Sequence, residues 1–316
     1  MVGRHYIARQ QDYSQRDKDG LVAFYVPLWK RNGITLEQYD EYWKNVHGPV
    51  CSRLPGQFQY WQWHVAHNDG GMWPGIEGVS TSCTEDEQFE GIAELTFKSE
   101  EDRNIWFKAA AILMDDEHNI FRKAIGYNSA PGNSKTFADA IRNGAPNGTT
   151  APLVKYHVLL RKNRSASVAD FRKFMFEEFA PAMMACRFVL KLRVHLFEEI
   201  DNSRPDAPGV SHNEPEENQY HGAFEIAFLN GLDYAGLFYC DEYFNAVKNL
   251  GKYVRQMHPF RERTGHAFVY DGRMTLAGLR GARVAEMITE IGAMNQLSIP
   301  VINLMLRGEL GIEDGK

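Results

Sequence analysis

Apolar side chains recur every three or four residues between Thr35 and Pro49, which predicts an amphipathic helix. Thr35 and Gln38 have the spacing of an N-terminal capping box. Gly48 and Pro49 predict the end of the helix, because glycine is a flexible stop and proline lacks the N–H needed to continue. His47 is therefore expected at the helix C-terminus, where the helix dipole favours imidazolium and neighbouring aromatic rings disfavour it. A pKa near neutrality there would suit proton transfer.

The same pattern returns in the second half of the chain at a nearly constant offset. Pro181 follows Pro49 by 132 residues, and the strands that flank the two helices repeat with almost the same spacing. At this offset His47 corresponds to Phe179. The scaffold position is therefore repeated, whereas the ionisable group is not.

Alternating and continuous apolar runs predict the strands around these helices. The first half has predicted strands at 21–28, 58–67 and 91–97, and a second helix at 99–124. The second half has predicted strands at 154–161, 190–198, 222–228 and 265–270, and helices at 168–184 and 232–257. Each half thus reads β-α-β-β-α with a fourth strand, which is the ferredoxin-like order. The predicted fold is α+β: two ferredoxin-like repeats form one intrachain dimeric α+β barrel, with helices outside and the barrel mouth near His47.

Four parts of the chain are predicted from these patterns. They are an N-terminal arm at 1–19, a first repeat carrying the site at 20–150, a second repeat at 151–281 and an apolar helical tail at 282–316. Long polar loops at 68–90 and 200–219 are of a length that is commonly functional or mobile. The tail has no counterpart in the first half, so we expect it to cover a domain surface or a subunit surface. In the second case the protein would be a homodimer.

Composition narrows the function further. The 316 residues suffice for two ordinary domains. The net charge of −6 and the lack of a basic tract argue against nucleic-acid binding, because phosphate contacts need a concentrated Lys/Arg face. The chain shows neither an apolar signal segment nor a run long enough to span a membrane, so a cytoplasmic location without membrane contact is expected.

The cysteines give no sign of a metal centre. Cys51, Cys83, Cys186 and Cys240 are widely spaced and form no C-x-x-C pair or compact Cys/His array. This spacing argues against zinc, and no metal is expected. Free thiols fit a reducing compartment.

The segment Tyr42-Trp43 followed by His47-Gly48-Pro49, between an aliphatic and an aromatic strand, resembles the EthD-type branch of the dimeric α+β barrel superfamily. Proteins similar to this branch include cofactor-free cyclases of polyketides, muconolactone isomerases and proteins of ether or aromatic degradation. More distant barrels bind haem, among them chlorite dismutases, dye-decolourising peroxidases and aldoxime dehydratases. The resemblance implies an acid/base role for His47 and, given Phe179, one active site per chain.

His47 and His64 are the candidate catalytic residues. His64 is either a second acid/base in the same cavity or a half-buried strand histidine. Arg53 could anchor a carboxylate or enolate, although a surface arginine is the common alternative. Glu94, which recurs as Glu225, would have a raised pKa and could act as a base if it faced inward. Its recurrence in both repeats favours a structural role.

Aromatic side chains near His47 predict the substrate-binding surface. The candidates that would line this pocket are Tyr39, Tyr60, Trp61 and Trp63. Core packing explains any one of them equally well, so the argument depends on the cluster.

These features predict a cofactor-independent lyase or isomerase that binds a small apolar or aromatic oxygenated metabolite. His47 would move a proton in a cyclisation, dehydration or isomerisation. Two alternatives remain open. One is a haem-dependent enzyme on the same barrel, whose iron ligand would be His157, His195, His221, His258 or His266. The other is a non-catalytic protein that binds an apolar metabolite.

Overall fold

The structure, a computed structural model, describes residues 19–141, 153–203 and 206–308. The predicted arm lies outside the described residues except for residue 19, and so do residues 142–152 at the predicted boundary between the repeats and residues 309–316 of the predicted tail. In the ranges described, no helix is both long and apolar enough to cross a membrane.

The first repeat begins with a strand and a capped helix, as predicted. Its strands are β1 (Val22–Lys30), β2 (Gln57–Val65), β3 (Gly91–Phe97), β4 (Phe121–Ala124), β5 (Tyr127–Ser129) and β6 (Ser134–Asp139). Its helices are α1 (Leu36–Tyr42), α2 (Gly48–Cys51), α3 (Glu100–Ala109) and α4 (Ala111–Glu117). Thr35 Oγ1 accepts from the Gln38 N–H at 3.1 Å, and Gln38 Oε1 accepts from the Thr35 N–H at 2.9 Å. The predicted capping box is therefore confirmed.

The second repeat follows the same plan, and the tail adds further helices. The strands are β7 (Val154–Lys162), β8 (Lys191–Leu196), β9 (Gly222–Phe228), β10 (Val254–Tyr270) and β11 (Arg273–Met274). The repeat's helices are α5 (Val168–Phe174), α6 (Ala180–Ala185), α7 (Gly231–Leu237), α8 (Asp241–Val247) and α9 (Leu250–Tyr253). The second repeat ends with α10 (Leu276–Arg280), and the tail forms α11 (Ala282–Ile291) and α12 (Ile299–Arg307). One-turn π-helices join α1 to α2 (Trp43–His47) and α5 to α6 (Met175–Phe179).

The last strands of each repeat pair with both repeats, and this exchange closes the barrel. The antiparallel ladder runs β4-β1-β3-β2-β10-β7-β9-β8-β6. The first part of β10 pairs with β7, and its second part pairs with β2 of the other repeat. Likewise β5 pairs with β1, whereas β6, one turn later, pairs with β8. The predicted α+β barrel of two ferredoxin-like repeats is confirmed, and the four-part division of the chain stays a prediction because the repeats share one sheet.

Ion pairs and aromatic rings occupy the barrel interior. Lys155 Nζ lies 4.0 Å from the ring centre of Trp63 and contacts the carboxylates of Glu225 at 3.0 Å and Glu262 at 2.7 Å. Lys191 contacts Glu225 at 2.8 Å. Buried charges are tolerated here because each has an opposite charge in contact.

Two predicted helices end in the wrong place. The predicted helix at 99–124 is α3 and α4 followed by strand β4. The predicted helix at 232–257 is three short helices, and β10 begins at Val254 rather than at 265. Apolar periodicity alone does not separate a buried strand from a buried helical segment, which explains both errors.

The helix that carries His47 does not stop at Gly48. Gly48 has a right-handed helical backbone with φ −56°, and its N–H donates to the carbonyl of Trp43, five residues earlier. Pro49 then lies in the first turn of α2, where a missing N–H is tolerated. His47 therefore lies inside a continuous helical segment, and the predicted influence of a helix C-terminus does not apply.

The tail packs on the first repeat. Ala282, Ala285 and Ile288 of α11 belong to the core between the first sheet and its helices. The Arg283 N–H donates to Oδ1 of Asn45, a residue of the π-helical turn, at 2.9 Å. Packing of the tail on a domain surface is confirmed for α11, and the homodimer stays a prediction.

Candidate functional site

A cavity of about 380 Å³ lies between the outer face of the first repeat's sheet and the helices that cover it. Aromatic and aliphatic side chains from both sides form its walls, among them Phe24, Leu28, Trp43, Tyr60, Trp106 and Phe121. The sequence predicted a site at the barrel mouth, and this location is wrong. The open space faces the helices because the barrel interior is occupied by ion pairs and rings.

His47 is presented to this cavity by the π-helical turn. The imidazole is buried, and its ring centre lies 5.7 Å from that of Phe121. Its Nδ1 lies 2.8 Å from Oδ2 of Asp116 on α4. The other oxygen of Asp116 accepts from the hydroxyl of Tyr42 at 2.6 Å and from the amide of Asn119 at 3.0 Å. Three side chains thus hold the carboxylate in place.

The ionisation of Asp116 determines the tautomer of His47. Burial raises the pKa of Asp116, but hydrogen bonds from His47, Tyr42 and Asn119 outweigh burial and lower the pKa to about 2. An ionised carboxylate only accepts hydrogen bonds, so Nδ1 of His47 carries the hydrogen. In the neutral imidazole Nε2 is then the proton acceptor, and no hydrogen bond to it comes from the part of the chain that the structure describes.

Trp43 and Tyr60 shape the wall beside His47. Trp43 fits closely against Gly91, where an added Cβ would lie only 2.4 Å from the indole ring. The Tyr60 hydroxyl accepts from Gln62 Nε2 at 2.7 Å. Burial raises the pKa of Tyr60 well above its ordinary value, so the side chain is a neutral phenol that can donate to a ligand oxygen.

The long loop of the second repeat covers the mouth of the cavity. His212 lines the cavity, and its Nε2 lies 2.7 Å from a carboxylate oxygen of Glu117 on α4. The Ala124 N–H donates to the Ser211 carbonyl at 2.9 Å, which pairs this loop with β4. The loop predicted at 200–219 thus closes over a site in the other repeat.

The corresponding space in the second repeat is filled. Phe179 takes the position of His47, and Phe224 takes the position of Ala93, with 5.3 Å between the centres of the two phenyl rings. Trp73, from the long loop of the first repeat, packs on Phe224 with ring centres 6.2 Å apart. One repeat therefore holds a cavity lined by a histidine, and the other holds an aromatic core.

Two predicted site residues lie behind the cavity wall. Tyr39 and His64 are fully buried against Trp43, with ring centres 5.6 Å and 4.5 Å from its indole. Nδ1 of His64 lies 2.7 Å from Oδ1 of Asp40, and burial lowers the pKa of His64. His64 is a neutral core histidine, so the prediction that it shares the cavity with His47 is wrong, as is the prediction of Tyr39 as a lining residue.

Three further candidates face the barrel interior instead of the cavity. Trp61 and Trp63 stack with ring centres 4.8 Å apart, and Trp63 Nε1 donates to Glu94 at 3.0 Å. Burial raises the pKa of Glu94, but His195 and Arg193 outweigh burial and hold the pKa well below its usual range. Burial lowers the pKa of His195, which favours its neutral form. The guanidinium of Arg193, which stays protonated, is therefore the lasting positive charge beside Glu94. Glu94 therefore faces inward as an ionised partner of these side chains and does not line the cavity. The raised pKa expected for an inward-facing glutamate is wrong, and the contacts fit the structural role that the recurrence favoured.

Arg53 lies outside the cavity, at the end of α10. Its guanidinium donates to the carbonyls of Gly278 at 3.0 Å and Leu279 at 2.9 Å. These bonds attach α10 to the first repeat, so the predicted role as a substrate anchor is wrong. Of the predicted residues, the structure brings His47 and Tyr60 together at the cavity.

Sequence reasoning missed Asp116 and His212. Asp116 lies in an acidic run at the end of α4, and His212 lies in a loop of the other repeat. Neither position shows a spacing that would link it to His47.

The residues present do not fit the haem alternative in its predicted form. The cavity is lined by none of the five candidate iron ligands His157, His195, His221, His258 and His266. Both ring nitrogens of His157 contact side chains of the barrel interior, those of Tyr25 and Glu262. Among the described residues that line the cavity there is also no Lys or Arg to pair with haem carboxylates.

Residues 31–123 match the EthD domain. This match confirms the resemblance over the segment that carries α1, the π-helical turn, α4 and part of the cavity lining. No curated protein matches the chain.

Three solved structures similar to this chain show low sequence identity. An anthrone oxidase-like protein is 8% identical, with a TM-score of 0.49 over 79% of this chain and 94% of the other. A provisionally assigned monooxygenase from Lactobacillus acidophilus NCFM is 11% identical, with a TM-score of 0.45 over 77% and 94%. A chlorite dismutase from Candidatus Nitrospira defluvii is 9% identical, with a TM-score of 0.39 over 80% and 94%.

Proposed function

We propose that the EthD domain at residues 31–123 is the catalytic part of a cofactor-independent enzyme, in which His47 moves a proton on a small apolar or aromatic oxygenated substrate. The observation that carries this proposal is the 2.8 Å contact between His47 Nδ1 and Asp116 at the wall of an aromatic cavity. A carboxylate that orients an imidazole and fixes its tautomer leaves the other nitrogen as a general base. The proposed reaction class is a lyase or isomerase.

The size and lining of the cavity support this substrate class. An apolar cavity of about 150 Å³ holds one benzene ring, so a cavity of about 380 Å³ has room for roughly two fused rings. Aromatic walls favour a flat apolar ligand. Polar side chains at the cavity are His47, Tyr60, Glu117, Asn128, Asp201 and His212. Among them we assign the phenol of Tyr60 as the donor that would meet a substrate oxygen.

In the proposed reaction Nε2 of His47 takes a proton from a carbon next to a substrate carbonyl. The electron pair of that C–H bond moves toward the carbonyl oxygen, to which Tyr60 would donate a hydrogen bond. The imidazolium keeps its Nδ1 hydrogen bond to Asp116, whose charge stabilises it. Return of the proton from the imidazolium to a different carbon gives isomerisation. Its transfer instead to a hydroxyl on the next carbon, whose C–O bond breaks as the C=C bond forms, releases water and gives dehydration.

The experiment is deuterium incorporation in D₂O, followed by NMR over a panel of cyclic ketones, lactones and polyphenolic compounds. We expect exchange at a carbon next to a carbonyl in at least one compound, and a rate roughly 10²- to 10⁴-fold lower in His47→Ala. His118→Ala is the matched control, because His118 is exposed at the end of α4 and does not line the cavity.

Two results would contradict the proposal. An exchange rate that is unchanged in His47→Ala removes His47 from the chemistry. Saturable binding of panel compounds without any exchange in the wild-type protein supports the non-catalytic binding protein instead.

A further inference from the structure

The long loop of the first repeat and strand β10 bring together three side chains of metal-binding type, in a place separate from the cavity. Cys83 and Glu87 lie on the loop before β3, and His258 lies on β10. One ligating atom from each lies within 4.8 Å of the other two. We propose that Cys83, Glu87 and His258 bind a divalent cation of borderline softness, and that Zn²⁺ is the expected ion.

His258 provides the independent observation that points to a ligand. Its side chain is 0% exposed, and its Nε2 has no hydrogen-bond partner within the described ranges of the chain. A buried polar atom without a partner is costly, so its presence calls for an occupant. Nδ1 of His258 lies 2.9 Å from the hydroxyl of Tyr220. A hydrogen bond from Nδ1–H to this oxygen would orient the ring and leave Nε2 for the metal.

The donor set selects the class of ion. A thiolate, an imidazole and a carboxylate match Zn²⁺ or Co²⁺, whereas Mg²⁺ and Ca²⁺ prefer oxygen ligands alone. On binding, the Cys83 thiol releases its proton to solvent, and the resulting thiolate and the Glu87 carboxylate balance the two charges of the ion. Three protein ligands leave the fourth tetrahedral position for a water molecule.

Arg161 and Thr84 hold the carboxylate of Glu87 in position without using all of the lone pairs on its oxygens. The Arg161 guanidinium contacts Oε1 of Glu87. The Thr84 N–H and hydroxyl donate to Oε2 at 2.8 Å and 3.1 Å. Each carboxylate oxygen accepts more than one bond, so a lone pair remains for the ion. The positive charge of Arg161 limits the affinity of the site for a cation. The bound ion would link the first repeat's loop to strand β10, which carries His258.

The test is an anaerobic titration of the full chain with Co²⁺. We expect one equivalent to produce a thiolate-to-cobalt charge-transfer band and the intense visible bands of a tetrahedral site, and Zn²⁺ to abolish both. Cys83→Ser should lose the charge-transfer band, and His258→Asn should bind Co²⁺ at least about tenfold more weakly. Cys240→Ser is the matched control, because it removes a thiol of similar exposure from α8's N-terminus and should keep the bands.

Thermal melts with Zn²⁺ provide a second reading that does not depend on cobalt. Zn²⁺ should raise the Tm of the wild-type protein and of Cys240→Ser, but not that of Cys83→Ser. If Cys83→Ser does not fold, Glu87→Gln takes its place, with a weakened band as the expected result. The inference is overturned by the absence of a thiolate band in the wild-type protein, by a band that persists in Cys83→Ser, or by a band that is lost in Cys240→Ser.

Discussion

Oδ2 of Asp116 lies 2.8 Å from Nδ1 of His47, although the two residues are 69 positions apart and belong to different helical segments. The π-helical turn directs the imidazole toward the cavity of the first repeat. The carboxylate that contacts this imidazole lies at the end of α4. Because Tyr42 and Asn119 also bond to Asp116, the carboxylate is fixed before any substrate arrives. This pair is the structural basis of the proposed chemistry.

Replacement of Asp116 by asparagine should impair catalysis more than binding. The amide can donate to Nδ1 of His47, which would favour the tautomer with hydrogen on Nε2 and remove the base. We expect kcat for deuterium exchange to fall roughly 10²- to 10⁴-fold with little change in KM. Asp115→Asn is the control, because Asp115 is the exposed neighbour. Wild-type kcat in Asp116→Asn would show that the pair is structural only.

Ala93→Phe should close the cavity, because it copies Phe224 of the second repeat. The added ring would enter the space of about 380 Å³, so we expect loss of ligand binding and exchange without a large loss of folding stability. The reciprocal change Phe224→Ala should keep exchange and lower the free energy of unfolding by about 3–5 kcal/mol, because it empties a packed core. Urea denaturation and ligand titration measure these outcomes. Full ligand affinity in Ala93→Phe would place the binding site elsewhere.

Buried histidines should make the fold sensitive to mild acid. Burial lowers the pKa of His266 from 6.5 to about 3 and that of His258 to about 4. The unfolded chain binds these protons below pH 6.5, whereas the folded chain resists them. Stability is therefore complete above pH 6.5 and falls as the pH drops toward 4, with a slope of up to about 1.4 kcal/mol per pH unit for each histidine.

Carboxylates do not obscure the upper part of this window. Glu94 and Glu262, whose pKa values are lowered from 4.5, and Asp116, whose pKa is lowered from 3.8, reduce the stability only from about pH 5 downward. Urea denaturation between pH 7 and 5.5, with EDTA present, therefore measures the slope that the histidines cause, and His266→Asn should reduce it. A free energy of unfolding that stays constant from pH 7 to 5.5 would contradict the assignment of these histidines as neutral and buried.

The sequence predicted the repeat, the order of the strands and the choice of His47 as the candidate acid/base, but not where His47 lies in its helix or in the barrel. It could not choose between the two faces of β2. Tyr60 and His64 share one face and Trp61 and Trp63 share the other, so no single cavity could contain all four. Which face is open depends on the ion pairs in the barrel interior, and those join side chains from both repeats.

Two other features depended on information that a local pattern does not contain. Gly48 and Pro49 predicted a helix end, but a π-helical turn lets the chain continue as a helix past the proline. Asp116 reaches His47, and His212 reaches the cavity, through tertiary packing, and His212 comes from the opposite repeat. Contacts over such separations have no sequence signature in a single chain.

His47→Phe tests the central claim most directly, because it gives the first repeat the residue that the second repeat has at the same position, Phe179. One NMR experiment in D₂O, with a compound that the wild-type protein exchanges, reports ligand binding by line broadening and proton transfer by deuterium incorporation. We predict binding within a few-fold of the wild-type protein and exchange reduced by roughly 10²-fold or more. Exchange at the wild-type rate with the same occupancy would contradict the assignment of His47 as the proton-transfer residue.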